Sequence, residues 1–93
     1  MKKFIEFGER SALLSVYQEK RATLYISNEP ILQCALADAI DEAENVNVYE
    51  TQLKGGGCFI CMEHELEAAD LLEIVCDAIS RVYNTDVSVI SNA

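Results

Sequence analysis

The chain has 93 residues, of which 51% are hydrophobic, 16 are acidic and 7 are basic, so its formal net charge is −9. This length predicts a single domain over residues 1–93, and the hydrophobic content is sufficient for a core, which argues against intrinsic disorder. The acidic balance disfavours direct contact with nucleic acid or with an anionic membrane, because both attract clustered Lys and Arg side chains.

No apolar run approaches the ~20 residues of a membrane span, and no secretory-type apolar stretch follows the basic N-terminal residues. These features predict a cytoplasmic protein. Its four cysteines are therefore expected to stay reduced, as free thiols.

The first half of the chain predicts four strands and a helix. Residues 3–7, 12–18 and 22–27 carry apolar alternation or β-prone side chains, and the polar segment before the third of these suits a hairpin loop. Apolar residues then recur at helical spacing over 30–44, and a strand of period two follows over 46–51.

The second half follows a glycine-rich turn and is predicted to run strand, helix, strand. Gly55–Gly57 resists both helix and strand, and it separates the preceding strand from another over 58–64. A second helix is predicted over 65–83 and a last strand over 86–90. The order β-β-β-α-β-β-α-β predicts an α+β fold with a mainly antiparallel sheet and both helices on one of its faces.

The two helical segments resemble each other in sequence. Residues 37–40 (ADAI) match residues 76–79 (CDAI), which suggests a ββα pseudo-repeat; the alternative is coincidence between two amphipathic helices. The apolar stripes of both helices also predict the centre of the core. Its predicted members are Leu36, Ile40, Leu72, Val75 and Ile79.

The cysteines and the single histidine are the candidates for chemistry. Cys58 and Cys61 form a C-x-x-C pair, with His64 and Cys76 nearby, which is a zinc-like or redox-like pattern. The pair lies in a predicted strand, however, where residues three apart point to opposite faces. The sequence therefore predicts buried thiols, with no metal, no cofactor and no catalytic residue. The glycine run is followed by a strand rather than a helix, so it predicts a hairpin tip and not a phosphate loop.

The acidic residues of the helices are the main functional candidates. Asp70, Glu73 and Asp77 share the face of the second helix that points away from its apolar stripe, and almost no Lys partners them at helical spacing. The alternative is a merely solvated acidic surface. The residues predicted to bind a partner are Asp38, Asp41, Glu42, Glu63, Leu66, Glu67, Asp70, Glu73, Ile74 and Asp77.

This pattern predicts a small, non-enzymatic inhibitor that occupies the basic surface of a nuclease or another nucleic-acid-acting enzyme. Bacterial immunity proteins, antitoxins and phage inhibitors such as anti-CRISPR proteins share this size and charge, which is analogy and not descent. The alternative is a structural or regulatory homo-oligomer, for example a homodimer. It would bury the other face of the sheet, with Tyr17, Tyr25, Tyr49, Phe59 and Cys61 as the predicted lining.

Overall fold

A computed structural model of the chain describes residues 1–27 and 30–90. The predicted α+β class and element order are both confirmed. The elements are β1 (Lys2–Phe7), β2 (Arg10–Val16), β3 (Arg21–Ser27), α1 (Pro30–Asp41), β4 (Val46–Lys54), β5 (Gly57–His64), α2 (Ala68–Tyr83) and β6 (Val87–Ile90). Within these residues, neither helix is long and apolar enough to cross a membrane.

The strands form one six-stranded sheet in the order β4-β5-β3-β2-β1-β6, and every neighbouring pair is antiparallel. The segments β3-α1-β4 and β5-α2-β6 are split β-α-β units, since other strands separate the parallel pair of each unit. One strand, β5, separates β3 from β4, whereas three strands separate β5 from β6. In both halves a hairpin is followed by a helix and a strand. The last strand of the first half, β4, pairs with β5, whereas the last strand of the second half, β6, pairs with β1.

Both helices lie on the same face of the sheet, where they enclose the core. The helix α1 contacts β4 and β5, α2 contacts β1 and β6, and the two helices contact each other. The sheet contributes mainly apolar side chains to the core, at every second position of its strands, because alternate residues of a strand point to the same face. The largest fully buried side chains of the sheet are Phe7, Ile5, Leu14, Leu24, Ile26, Ile60 and Met62.

Four of the five predicted core residues of the helices are fully buried; the exception is Leu72. It is only partly buried at the border of the core, whereas its neighbour Leu71 is fully buried. The apolar stripe of α2 is wider than the part of the helix that faces the sheet. Its side chains cannot all be buried, and the centre of the contact is one residue away from the predicted one.

The ends of the elements differ from the predictions by a few residues, for local reasons. Strand β4 continues to Lys54, because the hairpin closes only at Gly55 and Gly56, which take positive φ angles of 60° and 81°. The helix α1 ends at Asp41, whose Oδ1 accepts a hydrogen bond from the Val48 N–H at 2.9 Å. That bond ties the end of α1 to β4.

Candidate partner-binding surfaces

The acidic residues of the two helices lie at opposite edges of the helical layer. Asp38 and Asp41 line a groove between α1 and the edge strand β4. Asp70, Glu73 and Asp77 line another groove between α2 and the opposite edge strand, β6. The sequence pattern predicts that the acids of both helices act together, but the width of the sheet separates these two groups.

The groove beside α2, here called the α2 groove, is an open depression of about 780 Å³. It is the larger of the two, since the one beside α1 measures about 280 Å³. Four exposed carboxylates surround partly buried apolar side chains that pack against the core. The carboxylates belong to Asp70, Glu73, Asp77 and Asp86, and the apolar floor consists of Ile74, Cys76 and Val87.

Asp86 joins this group although no sequence pattern indicates it. It lies in the connection between α2 and β6, and only the folding of that connection brings it beside the helix. Asp77 is paired with Arg81, whose Nε lies 3.1 Å from Asp77 Oδ2. Within residues 1–27 and 30–90, the carboxylates of Asp70, Glu73 and Asp86 have no ion-pair partner. The α2 groove therefore presents three uncompensated negative charges.

Leu66 and Ile74 differ from the prediction that they are exposed anchors beside the acids. Both are partly buried and pack against the core, so each offers only part of its side chain to a partner. Leu66 precedes α2, where its N–H donates to His64 Nδ1 at 3.3 Å. For Ile74 the cause is the shifted centre of contact of α2, which brings this edge of the helix closer to the sheet.

The remaining predicted residues lie outside the α2 groove. Glu63 is the penultimate residue of β5, on the face of the sheet that carries no helix, and its Oε1 is 3.8 Å from Arg21 Nη2. Glu42 is exposed directly after α1, and Glu67 is the N-cap residue of α2, without a side-chain capping bond. The structure therefore brings together four of the ten predicted residues, namely Asp70, Glu73, Ile74 and Asp77.

The thiols of the C-x-x-C pair point to opposite faces of the sheet, as the strand interpretation predicts. Cys58 packs in the core under the helices, whereas Cys61 lies opposite Thr23 on the uncovered face. Burial raises the pKa of the Cys58, Cys61 and Cys76 thiols, which lowers the thiolate fraction available for nucleophilic attack or metal binding. In the described part of the chain, no three His, Cys, Asp or Glu side chains are placed to hold a metal ion.

His64 has a structural environment. It is buried at the end of β5, and its Nδ1 accepts the Leu66 N–H, which leads the chain into α2. Since a neutral imidazole that accepts at Nδ1 carries its proton on Nε2, that proton points into buried surroundings. Nε2 has no hydrogen-bond partner in the described structure. The ring therefore fixes the β5–α2 connection and offers no exposed base.

The uncovered face of the sheet carries a second candidate surface. Five large apolar or aromatic side chains stand directly opposite one another on five successive strands, and we call this set the cross-strand row. Its members, from β5 to β6, are Phe59, Tyr25, Leu13, Phe4 and Ile90. The rings of Phe59 and Tyr25 are in contact, with centroids 4.7 Å apart.

The predicted lining of this face is correct for most of its residues. Tyr17 lies beside the row, with its hydroxyl 3.4 Å from Thr23 Oγ1, and Tyr25, Phe59 and Cys61 also lie on this face. Tyr49 is the extra residue of a β-bulge between Val48 and Glu50, so the register gives it no partner, and it lines the groove beside α1 together with Glu50. Leu13, Phe4 and Ile90 were missed, since only the pairing register aligns them with the aromatic residues.

Comparisons with protein-family models, with curated proteins and with solved structures find no significant match to this chain. Its function is therefore inferred from the chemistry of these two surfaces.

Proposed function

We propose that this protein is a non-catalytic cytoplasmic inhibitor that binds the basic surface of a nucleic-acid-acting enzyme through the α2 groove. The observation that carries this proposal is the groove itself. Asp70, Glu73 and Asp86, all without a counter-charge among the described residues, surround a floor formed by Ile74 and Val87.

This arrangement suits the side chains of Lys and Arg. Their charged ends bind carboxylates, while their aliphatic stems pack along apolar surface, so a rim of acids around an apolar floor satisfies both parts. A chain with a net charge of −9 also attracts a basic partner over a distance and speeds their encounter. Strongly basic surfaces are typical of enzymes that bind phosphate backbones, and occupying such a surface excludes the nucleic acid.

The cost of leaving these acids unpaired supports a binding role. Like charges three and four residues apart on a helix each destabilise it by a few tenths of a kcal/mol, and Asp70, Glu73 and Asp77 have this spacing. A protein selected only for a solvated surface gains stability by placing Lys among them. The acids are exposed. Asp70 lies in the first turn of α2, where its charge favours the helix dipole, and Asp77 pairs with Arg81, but Glu73 has neither role.

The test compares two variants with the same change of charge. The groove variant carries Asp70→Lys, Glu73→Lys and Asp86→Lys; it leaves Asp77 in place because of its pair with Arg81. The control variant carries Asp38→Lys, Glu42→Lys and Glu44→Lys at the opposite edge; it spares Asp41, which holds Val48. All six residues are exposed, so both variants are expected to fold, and circular dichroism checks this.

A basic enzyme captured from lysate is purified and then titrated with the wild type and both variants at low and high salt. We expect the groove variant to lose at least about tenfold in affinity, the control variant to lose much less, and the wild type to protect the enzyme's nucleic-acid substrate. Equal losses in the two variants would show that only net charge matters. Binding that is insensitive to salt would reject the electrostatic account, because the Debye length falls from about 10 Å at 0.1 M to about 3 Å at 1 M.

A homo-oligomer is the second candidate, and the cross-strand row is the observation that favours it. The two proposals use different faces of the molecule, so they do not exclude each other.

A further inference from the structure

We infer that the uncovered face of the sheet is a self-association surface, on which two copies of this chain pack sheet against sheet about a two-fold axis. This inference is independent of the proposed basic partner, whose groove lies on the helical side.

The first argument is the continuity of the cross-strand row. Side chains that are direct partners on neighbouring strands have Cβ atoms about 5 Å apart, so the five members form an unbroken apolar band about 19 Å long. Phe4 and Ile90 remain 39% and 42% exposed, and Tyr17, near Thr23 on the same face, is 54% exposed. A contiguous apolar band on an otherwise polar face is typical of an interaction surface.

The second argument is the charge of this face, which is neutral. Three basic side chains, Lys2, Arg21 and Lys54, and three acidic ones, Glu6, Glu50 and Glu63, point to it. The remaining four bases and thirteen acids of the chain account for the whole net charge of −9. This face therefore adds no net charge to the contact between two copies, whereas contact through the helical side brings like charges together.

The third argument is area. Six strands spaced by about 4.8 Å, with about six residues of 3.3 Å along each, give a face of roughly 24 by 20 Å. Two such faces in contact bury about 1,000 Å² even in projection, which is the size that a specific interface needs. Sheets packed in this way lie about 10 Å apart, a distance that side chains from both layers fill.

Single-stranded nucleic acid is the other occupant known for aromatic side chains on an open sheet. It requires Lys and Arg beside the stacked bases, in excess over acids. Here each basic side chain of the face is matched by an acidic one, and Arg21 lies 3.8 Å from Glu63. The balance of charge therefore favours a second copy of the chain.

The order of the row also indicates where the symmetry axis lies. Leu13 is its middle member, so a two-fold axis through Leu13 places Phe59 of one copy over Ile90 of the other, and Tyr25 over Phe4. Large side chains at one end of the row then meet large side chains at the other. The two α2 grooves point outwards, away from this interface.

The experiment measures molecular mass by sedimentation or light scattering over a range of concentrations. The wild type is compared with Leu13→Lys at the centre of the row and with Leu53→Lys as the control. Leu53 is 74% exposed near the end of β4, and its partner Cys58 places it on the helical side, so the same substitution there leaves the uncovered face intact. Circular dichroism confirms that each variant is folded.

We expect the wild type and Leu53→Lys to form dimers, and Leu13→Lys to weaken the association about tenfold or more. Because each residue on a two-fold axis faces its own counterpart, mixing Leu13→Lys with Leu13→Glu should restore a dimer. Association of the wild type should persist or strengthen at 1 M salt, opposite to the behaviour expected for a basic partner, since salt screens the repulsion between two acidic copies.

Three results would overturn the inference. The first is a wild type that remains monomeric up to about 1 mM, the weakest affinity of practical interest. The second is equal association of folded Leu13→Lys and wild type, and the third is a mixture of the two Leu13 variants that stays monomeric. A labelled oligouridine that binds the wild type and loses affinity in Leu13→Lys would instead identify single-stranded nucleic acid as the occupant.

Discussion

The two faces of the sheet use apolar residues in different ways. Under the helices the rows across the strands are mostly apolar, and Ile5, Leu14, Leu24 and Ile60 are fully inaccessible. Polar members of these rows include Lys3, Arg10 and Thr51. On the other face one apolar row lies between rows of Ser, Thr and charged side chains, and its members remain partly exposed. The first arrangement commits a face to permanent burial.

The second arrangement allows the face either to remain exposed to solvent or to be covered by a partner. A single row buries part of its own surface through contact between neighbours, as Tyr25 and Phe59 do. The polar rows on either side keep the face hydrated while no partner is present. The comparison indicates that a mostly apolar face supplies the core of this fold, while the single apolar row of the other face is the feature on which the proposed association depends.

The largest expected effect is on the free energy of unfolding. It is tested at two adjacent leucines, Leu13 and Leu14, which point to opposite faces of the sheet. Leu14→Ala removes a fully buried side chain and should lower the free energy of unfolding by about 2–5 kcal/mol, because it leaves a cavity under the helices. Leu13→Ala should cost about 1 kcal/mol or less in the monomer but weaken association. Urea unfolding at low protein concentration measures both. Equal losses at the two positions would show that the row is as deeply packed as the core.

An intermediate effect is expected at Gly57, on the uncovered face. A Cβ added there would overlap the ring of Tyr25, which covers this glycine and packs on Phe59. Gly57→Ala should therefore displace the ring and cost about 1–3 kcal/mol, the usual cost of overpacking. The same substitution in a Tyr25→Ala chain should cost little, because the overlapping ring is absent. An equal cost in both backgrounds would place the strain in the backbone instead.

The smallest effect concerns the pH dependence of stability, and it involves Cys61. Burial, and then the negative charge of Glu50, raise the pKa of this thiol above its ordinary value of 9.0. The folded pKa is the higher one, so the contribution of this thiol to stability is intact below pH 9.0. Stability then falls as pH rises from 9.0 through the folded pKa, because the unfolded chain loses its proton first. Cys61→Ala should therefore show a smaller loss of stability in alkaline solution than the exposed-thiol control Cys34→Ala. Identical alkaline profiles of the two variants would contradict this.

Local periodicity explains the part of the fold that the sequence predicts correctly. Alternation in β5 is enough to place Cys58 and Cys61 on opposite faces, and helical spacing is enough to bury Ile40 and Ile79. Local periodicity cannot decide whether Leu71 or Leu72 is buried, because two adjacent leucines satisfy one apolar stripe equally well. Only the contact with the sheet decides which of them is buried.

The candidate sites depend on non-local geometry, and for that reason they were predicted only in part. Asp86 joins the α2 groove through the course of the chain after α2, and a bulge leaves Tyr49 outside the pairing register of β4 and β5. The cross-strand row requires the register of four strand pairs at once. A shift of one residue in any pair moves its side chains to the opposite face, so no single segment contains this information.

The α2 groove is complete only when β6 pairs with β1 during folding, because Val87 of β6 forms part of its lining. Phe4 pairs with Ile90, so nearly the whole described chain must be synthesised before this contact can form. Contacts between distant segments are slow to form, because closing a long loop is opposed by chain entropy until the pairing compensates for it. Until β6 docks, the hydrogen bonds between Ser80 and Thr85 hold the start of the connection beside α2, but Val87 lacks its strand partner Phe7. The full lining of the groove, which includes Val87 of β6, is therefore complete only after this long-range pairing has formed.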